Sequence, residues 1–577
     1  MTDFLKLQKK YICAIMVRML HKKSEQNGDI SEIGYLNSVK KQFTIDPLKE
    51  VVGLLEKIES DPKKARISGK YNGETYHSLL EKYAMFPIEA SNNPSLLVCE
   101  IVKDLFGGVP LWRSPNLQYN VGAAVNRVSS ALYALALDLN IFNINDGLSG
   151  NTIIAEHAVT HILSEIAGVD PRTSCGFFTF GGTATNLYAI KLAVSKTFPL
   201  SRKEGIPHNI KIALTEDSHF SHLNALNWLG IGTQNALIIK ANKDRTSNLQ
   251  DAAEQLKRTI KAGYKIPVIM LNGGTTYDNA IDDIEGFVSL RNDLVKTYEL
   301  DYIPQIHVDS VIGWSWLMFN DYDFDKNILG VDSYTLNLLR AQYYKISKLN
   351  LADSWGVDFH KGVGSCPIPC SVIMINKAET VSFLSYSDKA DTHQLAREFS
   401  KFSPVDYTLE TSRPAGAALS ALGAIHSLGK TGFQAHLGNL VQTTQILRQE
   451  LLRNNRNDIF ILNDKSLGYV TMVRMYPPEI AVQKSIEDSG SDKEAVDFTE
   501  QVNAYMKSFF KFDMEERMNK SNGVEYSYSS KYIPAFSGIK MGALKFYPTS
   551  PYITADHMRQ AVETLLRQKD RFDSRNS

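Results

Sequence analysis

Short apolar runs alternate with helical patterns through the middle of the chain. Strand-like runs lie at residues 210–214, 236–239, 268–271 and 306–308, and apolar residues recur at helical spacing between residues 249 and 260. This alternation is typical of a parallel or mostly parallel sheet with helices on both faces. The pattern therefore predicts an α/β fold whose functional residues collect beyond the carboxyl ends of the strands.

A glycine-rich turn joins a strand-like run to a helical pattern at residues 178–186, Phe-Thr-Phe-Gly-Gly-Thr-Ala-Thr-Asn. Free backbone N–H groups and the positive end of a helix dipole suit such a junction to a phosphate group. Thr183, directly after Gly182, adds a hydroxyl donor. The alternative is a turn that caps a helix and binds nothing.

Two other strand-like runs lead to residues that can act on an aromatic ring. Asp309 ends the run 306–308, and a carboxylate there would keep a pyridine nitrogen protonated. His219 follows the run 210–214, where an imidazole would stack on the ring. The alternatives are a helix cap or turn for a single Asp, and a structural or surface role for a lone His.

Lys361 directly follows His360 in the stretch Ala-Asp-Ser-Trp-Gly-Val-Asp-Phe-His-Lys. A lysine in a dry pocket can hold an aldehyde cofactor as a Schiff base, although His-Lys pairs are common on ordinary surfaces. The order of the motifs decides the interpretation. A phosphate turn, a stacking histidine, an acid and a lysine follow one another, each after a strand-like run, and together they predict a site for pyridoxal phosphate.

These segments resemble the group II pyridoxal-phosphate-dependent amino acid decarboxylases, the relatives of glutamate, aspartate and aromatic amino acid decarboxylases. The resemblance extends from about Pro94 to Leu565 and includes the motifs at 271–276, 409–414 and 545–551. It implies a fold type I enzyme whose large domain (91–411) has a mostly parallel central sheet. A smaller α+β C-terminal domain (412–577) would follow it, and a mostly helical N-terminal extension (1–90) would precede it.

The resemblance also implies residue roles. Lys361 would be the Schiff-base lysine, His219 the stacking residue and Asp309 the partner of the pyridinium nitrogen. The other implied residues fall into three groups: cofactor contacts (Gly182, Thr183, Thr275, Thr276, Asp358 and His360), substrate contacts (Lys545 and Arg413), and candidates for the mobile-loop tyrosine that protonates the substrate carbon (Tyr386 and Tyr407).

The chain departs from the family pattern at three positions. Val311 stands where relatives usually place an alanine, Gly362 replaces a frequent tryptophan, and Lys545 replaces an arginine that grips the substrate carboxylate. A lysine supplies a point charge without the planar bidentate fork, so we expect carboxylate recognition to differ.

Composition agrees with an enzyme of more than one domain. The 577 residues are 43% hydrophobic and 22% charged, and the formal net charge is zero, which gives no bulk electrostatic case for binding nucleic acid or an anionic membrane. Five cysteines argue against a disulfide framework and suit a reducing cytosol. Cys366 and Cys370 have no second pair to complete a zinc site, so we predict no metal.

Two stretches look like connecting segments, and one resembles a targeting signal. Residues 60–78 read as a linker or exposed loop and 485–494 as a surface loop. The apolar run at 11–20 is interrupted by Arg18 and is too short to span a bilayer, which favours an amphipathic helix over stable membrane insertion.

The predicted function is decarboxylation of an L-amino acid to the corresponding amine and carbon dioxide in the cytoplasm. Gly362 after the lysine suggests a bacterial branch of this family, similar to aspartate-type or glutamate-type decarboxylases. This resemblance favours an acidic substrate, aspartate or glutamate. The alternatives are an aromatic or other amino acid, another pyridoxal-phosphate-dependent carbon-carbon lyase, and a non-catalytic interaction protein. Because relatives are homodimers, we expect a homodimer in which the loop after Lys361 acts partly in the partner's site.

Overall fold

The computed structural model describes residue 53 and residues 64–67, 73–84, 93–385, 403–489, 492–520, 523–534 and 537–576. The chain forms two compact units. One comprises residues 1–60 and 69–107, and the other comprises residues 61–68 and 108–577. Tyr386 and the apolar run at 11–20 lie outside the described residues.

The first unit contributes two described helices, α1 (Gly73–Ala84) and α2 (Pro94–Leu105). Helix α2 begins as its sequence predicts, because the Asn93 side chain accepts a hydrogen bond from the Leu96 N–H and proline occupies the first helical position. Lys82 joins the two helices through an ion pair of 2.6 Å with Asp104. Residues 73–78 belong to α1, so the prediction of a linker or exposed loop at 60–78 is wrong for these last residues.

A seven-stranded sheet forms the centre of the second unit. Its strands, in chain order, are β2 (Cys175–Thr179), β3 (Ile212–Thr215), β4 (Ala236–Ile239), β5 (Val268–Asn272), β6 (Gln305–Asp309), β7 (Ser354–Asp358) and β8 (Ser371–Ile375). Their spatial order is β2-β8-β7-β6-β5-β3-β4, and the pairs from β7 to β4 are all parallel. Only β8 runs against its neighbours. The predicted mostly parallel sheet is confirmed, and each of the four predicted strands lies within two residues of its expected position.

A second, five-stranded sheet lies in the same unit. Its strands are β1 (Leu117–Gln118), β9 (Ile459–Ile461), β10 (Thr471–Met475), β11 (Glu525–Tyr532) and β12 (Met541–Phe546). Their spatial order is β1-β11-β12-β10-β9. Four of the five strands follow residue 412, and β1 joins them from the first part of the chain by parallel pairing with β11.

Helices accompany both sheets. In chain order they are α3 (Arg127–Asp138), α4 (Asp146–Ser149), α5 (Ile153–Ile166), α6 (Gly182–Thr197), α7 (Ser201–Glu204), α8 (Ser221–Trp228), α9 (Leu249–Lys261), α10 (Ile284–Thr297), α11 (Ser333–Ile346), α12 (Gly416–Arg453), α13 (Lys493–Lys520) and α14 (Ala555–Asn576). Helix α12 is kinked at Gly429, whose backbone is not helical. No described helix is both long and apolar enough to cross a lipid bilayer.

Apolar periodicity accounts for these elements. Helix α9 follows the predicted spacing, with Ala252 and Leu256 buried and Asn248 capping the N-terminus. Strands β5 to β8 are buried along their whole length, as expected for strands covered on both faces. The main core continues from one sheet to the other through fully buried aromatic residues such as Trp355 and Tyr526.

The stretch 485–494 is only in part the surface loop that its polar sequence suggests. Residues 481–489 form a 3₁₀ helix, and α13 begins at Lys493. Glu487 is buried and accepts hydrogen bonds from Arg474 Nε at 3.0 Å and from the Tyr476 hydroxyl at 2.6 Å. The prediction is wrong at Glu487, because a buried partner on β10 compensates its charge, whereas residues 492–494 are exposed as predicted.

Candidate active site

The parallel strands of the large sheet end in polar residues on one edge. Thr215, Asn272, Asp309 and Asp358 are the last residues of β3, β5, β6 and β7. Asn272 Nδ2 donates to Thr215 Oγ1 at 2.6 Å, which ties two of these strand ends together. Since neighbouring parallel strands end on the same side, the fold collects the chemistry at this edge.

A cleft opens along this edge of the sheet. The predicted site residues that line it are Gly182, Thr183, His219, Thr275, Thr276, Asp309 and Lys361. Sequence analysis missed four other polar lining residues: Asn186, Asp217, Ser221 and Asn272. Val311 also lines the cleft. Seven residues selected from separate motifs thus meet in one space.

Asp309 is held in position by two donors that the sequence analysis did not assign. His222 Nε2 and Asn186 Nδ2 both lie 2.9 Å from Asp309 Oδ2. Burial alone would raise the pKa of Asp309, but the hydrogen bond and charge of His222, with the charge of Lys361, hold it well below its usual range. Asp309 is therefore ionised at neutral pH. The available signal was spacing, because His222 stands one helical turn after His219.

His219 lies at the start of the segment that leads into α8. Its Nδ1 lies 2.8 Å from the hydroxyl of Ser221, which fixes the ring orientation. Burial lowers the pKa of His219, so its imidazole is neutral at pH 7. A neutral ring can stack on a flat ligand without an additional desolvation cost.

Lys361 follows β7, and its Nζ lies 2.8 Å from Asp358 Oδ2. Burial would lower the pKa of Lys361, but the nearby carboxylate of Asp358 raises it above its usual value. The neighbouring Gly362 has a φ of +53°, and a Cβ there would lie 2.7 Å from the Tyr469 hydroxyl. The glycine at this position therefore fits both the backbone conformation and the space.

Asp358 and His360 lie beside the glycine-rich turn. A Cβ on Gly182 would lie 2.5 Å from Asp358 Oδ2, so only glycine leaves room for this carboxylate. His360 Nε2 is 3.7 Å from the same oxygen. Gly182 begins α6, and the first turn of that helix points free N–H groups toward the cleft.

Lys545 lies outside the cleft lining. It is buried on β12, and its Nζ donates to Asn120 Oδ1 at 2.9 Å. Burial lowers the pKa of Lys545 to about 8. Gly122, two residues after Asn120, forms a β-bridge with Lys361. The segment around Asn120 therefore lies next to the cleft.

Arg413 and Tyr407 are placed away from the cleft. Arg413 is buried in an ion pair with Glu156 at 2.5 Å and also donates to the carbonyl of Phe178 at 3.0 Å. Arg413 is not among the residues that line the cleft, and its Nη1 and Nη2 groups donate to Asn143, Glu156 and Phe178 inside the protein. Tyr407 packs in a buried aromatic cluster, 5.3 Å from Phe177 between ring centroids.

Comparison with known proteins supports one fold. No family model matches the chain. Mouse CSAD in its apo form superposes with a TM-score of 0.71 at 15% identity, covering 93% of this chain and 99% of that one. The glutamate decarboxylase domain of diaminobutyrate-pyruvate transaminase and L-2,4-diaminobutyrate decarboxylase from Vibrio parahaemolyticus gives 0.65 at 16% identity, covering 95% and 97%. Oryza sativa TDC with PLP and tryptamine gives 0.71 at 14% identity, covering 95% and 99%.

The chain has the fold of the fold type I pyridoxal-phosphate decarboxylases. The match covers almost the whole length of this chain and of each of these proteins. Identities of 14 to 16% establish this fold. The activity has to be argued from the cleft.

Proposed function

We propose that the protein decarboxylates an L-amino acid with pyridoxal phosphate as cofactor, releasing the amine and carbon dioxide. The observation that carries the proposal is the meeting of Lys361, Asp309 and His219 with the N-terminus of α6 in one cleft. A lysine, a buried ionised acid, a neutral imidazole and a phosphate-binding helix end are the four parts that this cofactor needs.

Each residue has a defined task in this proposal. Gly182 and Thr183 bind the phosphate, Thr275 and Thr276 contact the cofactor or substrate, and Asp358 and His360 lie beside the phosphate. His219 stacks on the ring. When bound, the cofactor supplies a protonated pyridine ring that accepts the electron pair released from the substrate.

Asp309 keeps the proton on the ring nitrogen because His222 and Asn186 hold its carboxylate ionised and fixed. Lys361 would hold the aldehyde of the cofactor through its amine. The protein would select the bond that breaks through the orientation in which it holds the substrate carboxylate. Tyr386 remains our candidate for the loop residue that returns a proton to the substrate carbon.

An acidic substrate is the finer part of the proposal. Lys545 has no carboxylate partner among the described residues, and its buried ammonium group would be stabilised by a substrate carboxylate. Tyr277, next to Thr276 of the cleft, lies with its ring centroid 5.8 Å from Lys545 Nζ. The resemblance to aspartate-type and glutamate-type decarboxylases, which rests on Gly362 after the lysine, also favours an acidic substrate.

We also propose a homodimer, located in the cytoplasm. Large apolar side chains next to two of the cleft segments are exposed: Phe180 is 47% exposed and Phe220 69%. Phe180 precedes the glycine-rich turn and Phe220 follows His219, so a second subunit that covers them would also close the site. Sedimentation at assay concentration tests this, and an active monomer would contradict it.

The activity is tested by measuring amine and carbon dioxide release from purified protein with added pyridoxal phosphate. The panel comprises aspartate, glutamate, diaminobutyrate, cysteine sulfinate, tyrosine, DOPA and tryptophan. We expect release from one substrate, its loss in Lys361→Ala, and its retention in Lys348→Ala, a matched control on the surface. An aldehyde product in place of the amine would point to a different reaction at the carbon-carbon bond. Protein that binds no cofactor would favour a non-catalytic role.

A further inference from the structure

Asp358 occupies the approach to the phosphate-binding helix end. It is the last residue of β7, its side chain is fully buried, and its Oδ2 lies within 2.5 Å of where a Cβ on Gly182 would be. The carboxylate therefore stands against the first turn of α6. In the proposed function, this turn binds the dianionic phosphate of the cofactor.

The charge of Asp358 is balanced by one close cation. Lys361 Nζ lies at 2.8 Å, while His360 Nε2 lies at 3.7 Å. His219 and Cys370 are the other described titratable groups that interact with it electrostatically. Helix α6 presents only Gly182 and Thr183 here, and neither carries charge. Neither carboxylate oxygen accepts a hydrogen bond of good geometry from a described donor.

Cofactor binding would remove this balance. Lys361 would bind the aldehyde instead of pairing with Asp358, and the negatively charged phosphate group would bind nearby at the same time. Two unit charges about 4 Å apart at an effective dielectric near 20 repel enough to weaken binding about a thousandfold, and a dianion about squares that factor. For comparison, adding a proton to a free aspartate side chain in water at pH 7 costs about a thousandfold. Protonation of the carboxylate is therefore the less costly solution.

We propose that Asp358 takes up a proton when the phosphate group binds and donates its O–H to a phosphate oxygen. This inference rests on the proposed function and adds a property to it: retention of the cofactor depends on pH through one residue. The balance is one proton taken from solvent for each phosphate bound. Asp358 is thus a positioning residue for the phosphate and not a reacting group.

The test compares pyridoxal phosphate with pyridoxal on full-length protein freed of cofactor. Both compounds react with Lys361. The dissociation constant of pyridoxal phosphate divided by that of pyridoxal therefore reports the contribution of the phosphate group. Between pH 7 and 9, we expect this ratio to rise about tenfold per pH unit in the wild type. Asp358→Asn, which is neutral at every pH and keeps a donor, is expected to give a flat ratio. It should also bind pyridoxal phosphate at least about tenfold more tightly at pH 8.

Asp353→Asn is the matched control. Asp353 precedes the opposite end of β7 and forms an ion pair with Arg291 at 2.7 Å, away from the cleft. Its substitution removes one negative charge from the residue before the same strand. Asp353→Asn should therefore keep the wild-type rise of the ratio with pH. An equal slope in wild type and Asp358→Asn, or weaker binding by Asp358→Asn at pH 8, would overturn the inference.

A second measurement needs no variant. Calorimetry of wild type in two buffers of different ionisation enthalpy should give about one more proton taken up with pyridoxal phosphate than with pyridoxal. Equal proton uptake would also refute the role of Asp358. If the wild type develops no visible absorbance of a lysine-bound cofactor, the proposed function fails. If the absorbance appears without the extra proton, only this inference fails.

Discussion

Replacement of Arg413 by methionine would separate a structural role from a substrate contact. Arg413 Nη2 lies 2.5 Å from Glu156 Oε1, and Glu156 also accepts a hydrogen bond of 2.7 Å from the Phe178 N–H. Both side chains are buried. Methionine fills most of the arginine volume but leaves the carboxylate of Glu156 without its counter-charge.

The cost of that change follows from burial. Removing one partner of a buried ion pair typically destabilises a protein by about 3–5 kcal/mol. Unfolding entropy is about 2 cal/mol/K per residue, so in a unit of this size we expect a decrease of about 3–5 °C in the midpoint of thermal unfolding. The double variant Glu156→Gln/Arg413→Met removes both charges and should return to within about 2 kcal/mol of wild type.

Differential scanning fluorimetry of the cofactor-free protein measures these midpoints, and substrate KM is measured beside it. Arg172→Met is the control, because Arg172 forms a similar pair with Asp170 on the surface and should leave the midpoint unchanged. An Arg413→Met variant with an unchanged midpoint and a raised KM would refute the structural role. Failure of the double variant to recover would show that the loss does not come from the uncompensated charge.

Three further predictions concern the site and the core. Gly182→Ala should weaken pyridoxal phosphate binding at least about tenfold without unfolding the protein, because its Cβ would collide with the buried Asp358; equilibrium dialysis and circular dichroism measure the two effects. Lys545→Met should raise KM for an acidic substrate by about tenfold or more and leave KM for an aromatic amino acid unchanged, whereas an equal effect on both would argue against carboxylate binding. The pKa of buried His436 is lowered to about 4, so the unfolded state alone takes up this proton as pH falls from 6.5 to 4, and stability is lost over that range; His436→Gln should lose less stability than wild type between pH 7 and 5 in urea unfolding, and an identical loss would contradict the assignment.

The large sheet could be predicted because its signals are local. The apolar runs at 210–214, 236–239, 268–271 and 306–308 correspond to strands of this sheet, and strand ends lie at the cleft by the geometry of parallel sheets. The order of the motifs along the chain then predicts that Lys361 lies at the same edge. Periodicity and position within an element carry this information, and both are readable from one sequence.

The remaining features depend on partners far away in the chain. Sequence analysis predicts a substrate contact for Arg413, and no local pattern indicates its ion pair with Glu156, which lies 257 residues earlier. The partner of Glu487, Arg474, lies only 13 residues earlier, but it stands on strand β10, and only the fold brings the two side chains together. The antiparallel insertion of β8 between β2 and β7 is likewise a choice of neighbour that no local pattern fixes. Asn186 stood within a motif that had been selected, but its partner Asp309 could not be assigned without the packing of α6 on the sheet.

The contact between Gly362 and Tyr469 couples two positions that lie more than a hundred residues apart in the chain. The Tyr469 hydroxyl fills the space in which any side chain at 362 would begin, and the backbone there has a positive φ. A large residue at 362 and a tyrosine at 469 therefore exclude each other in this backbone. A variant with tryptophan at 362 would need a smaller residue at 469 as well, and the positive φ would still strain it.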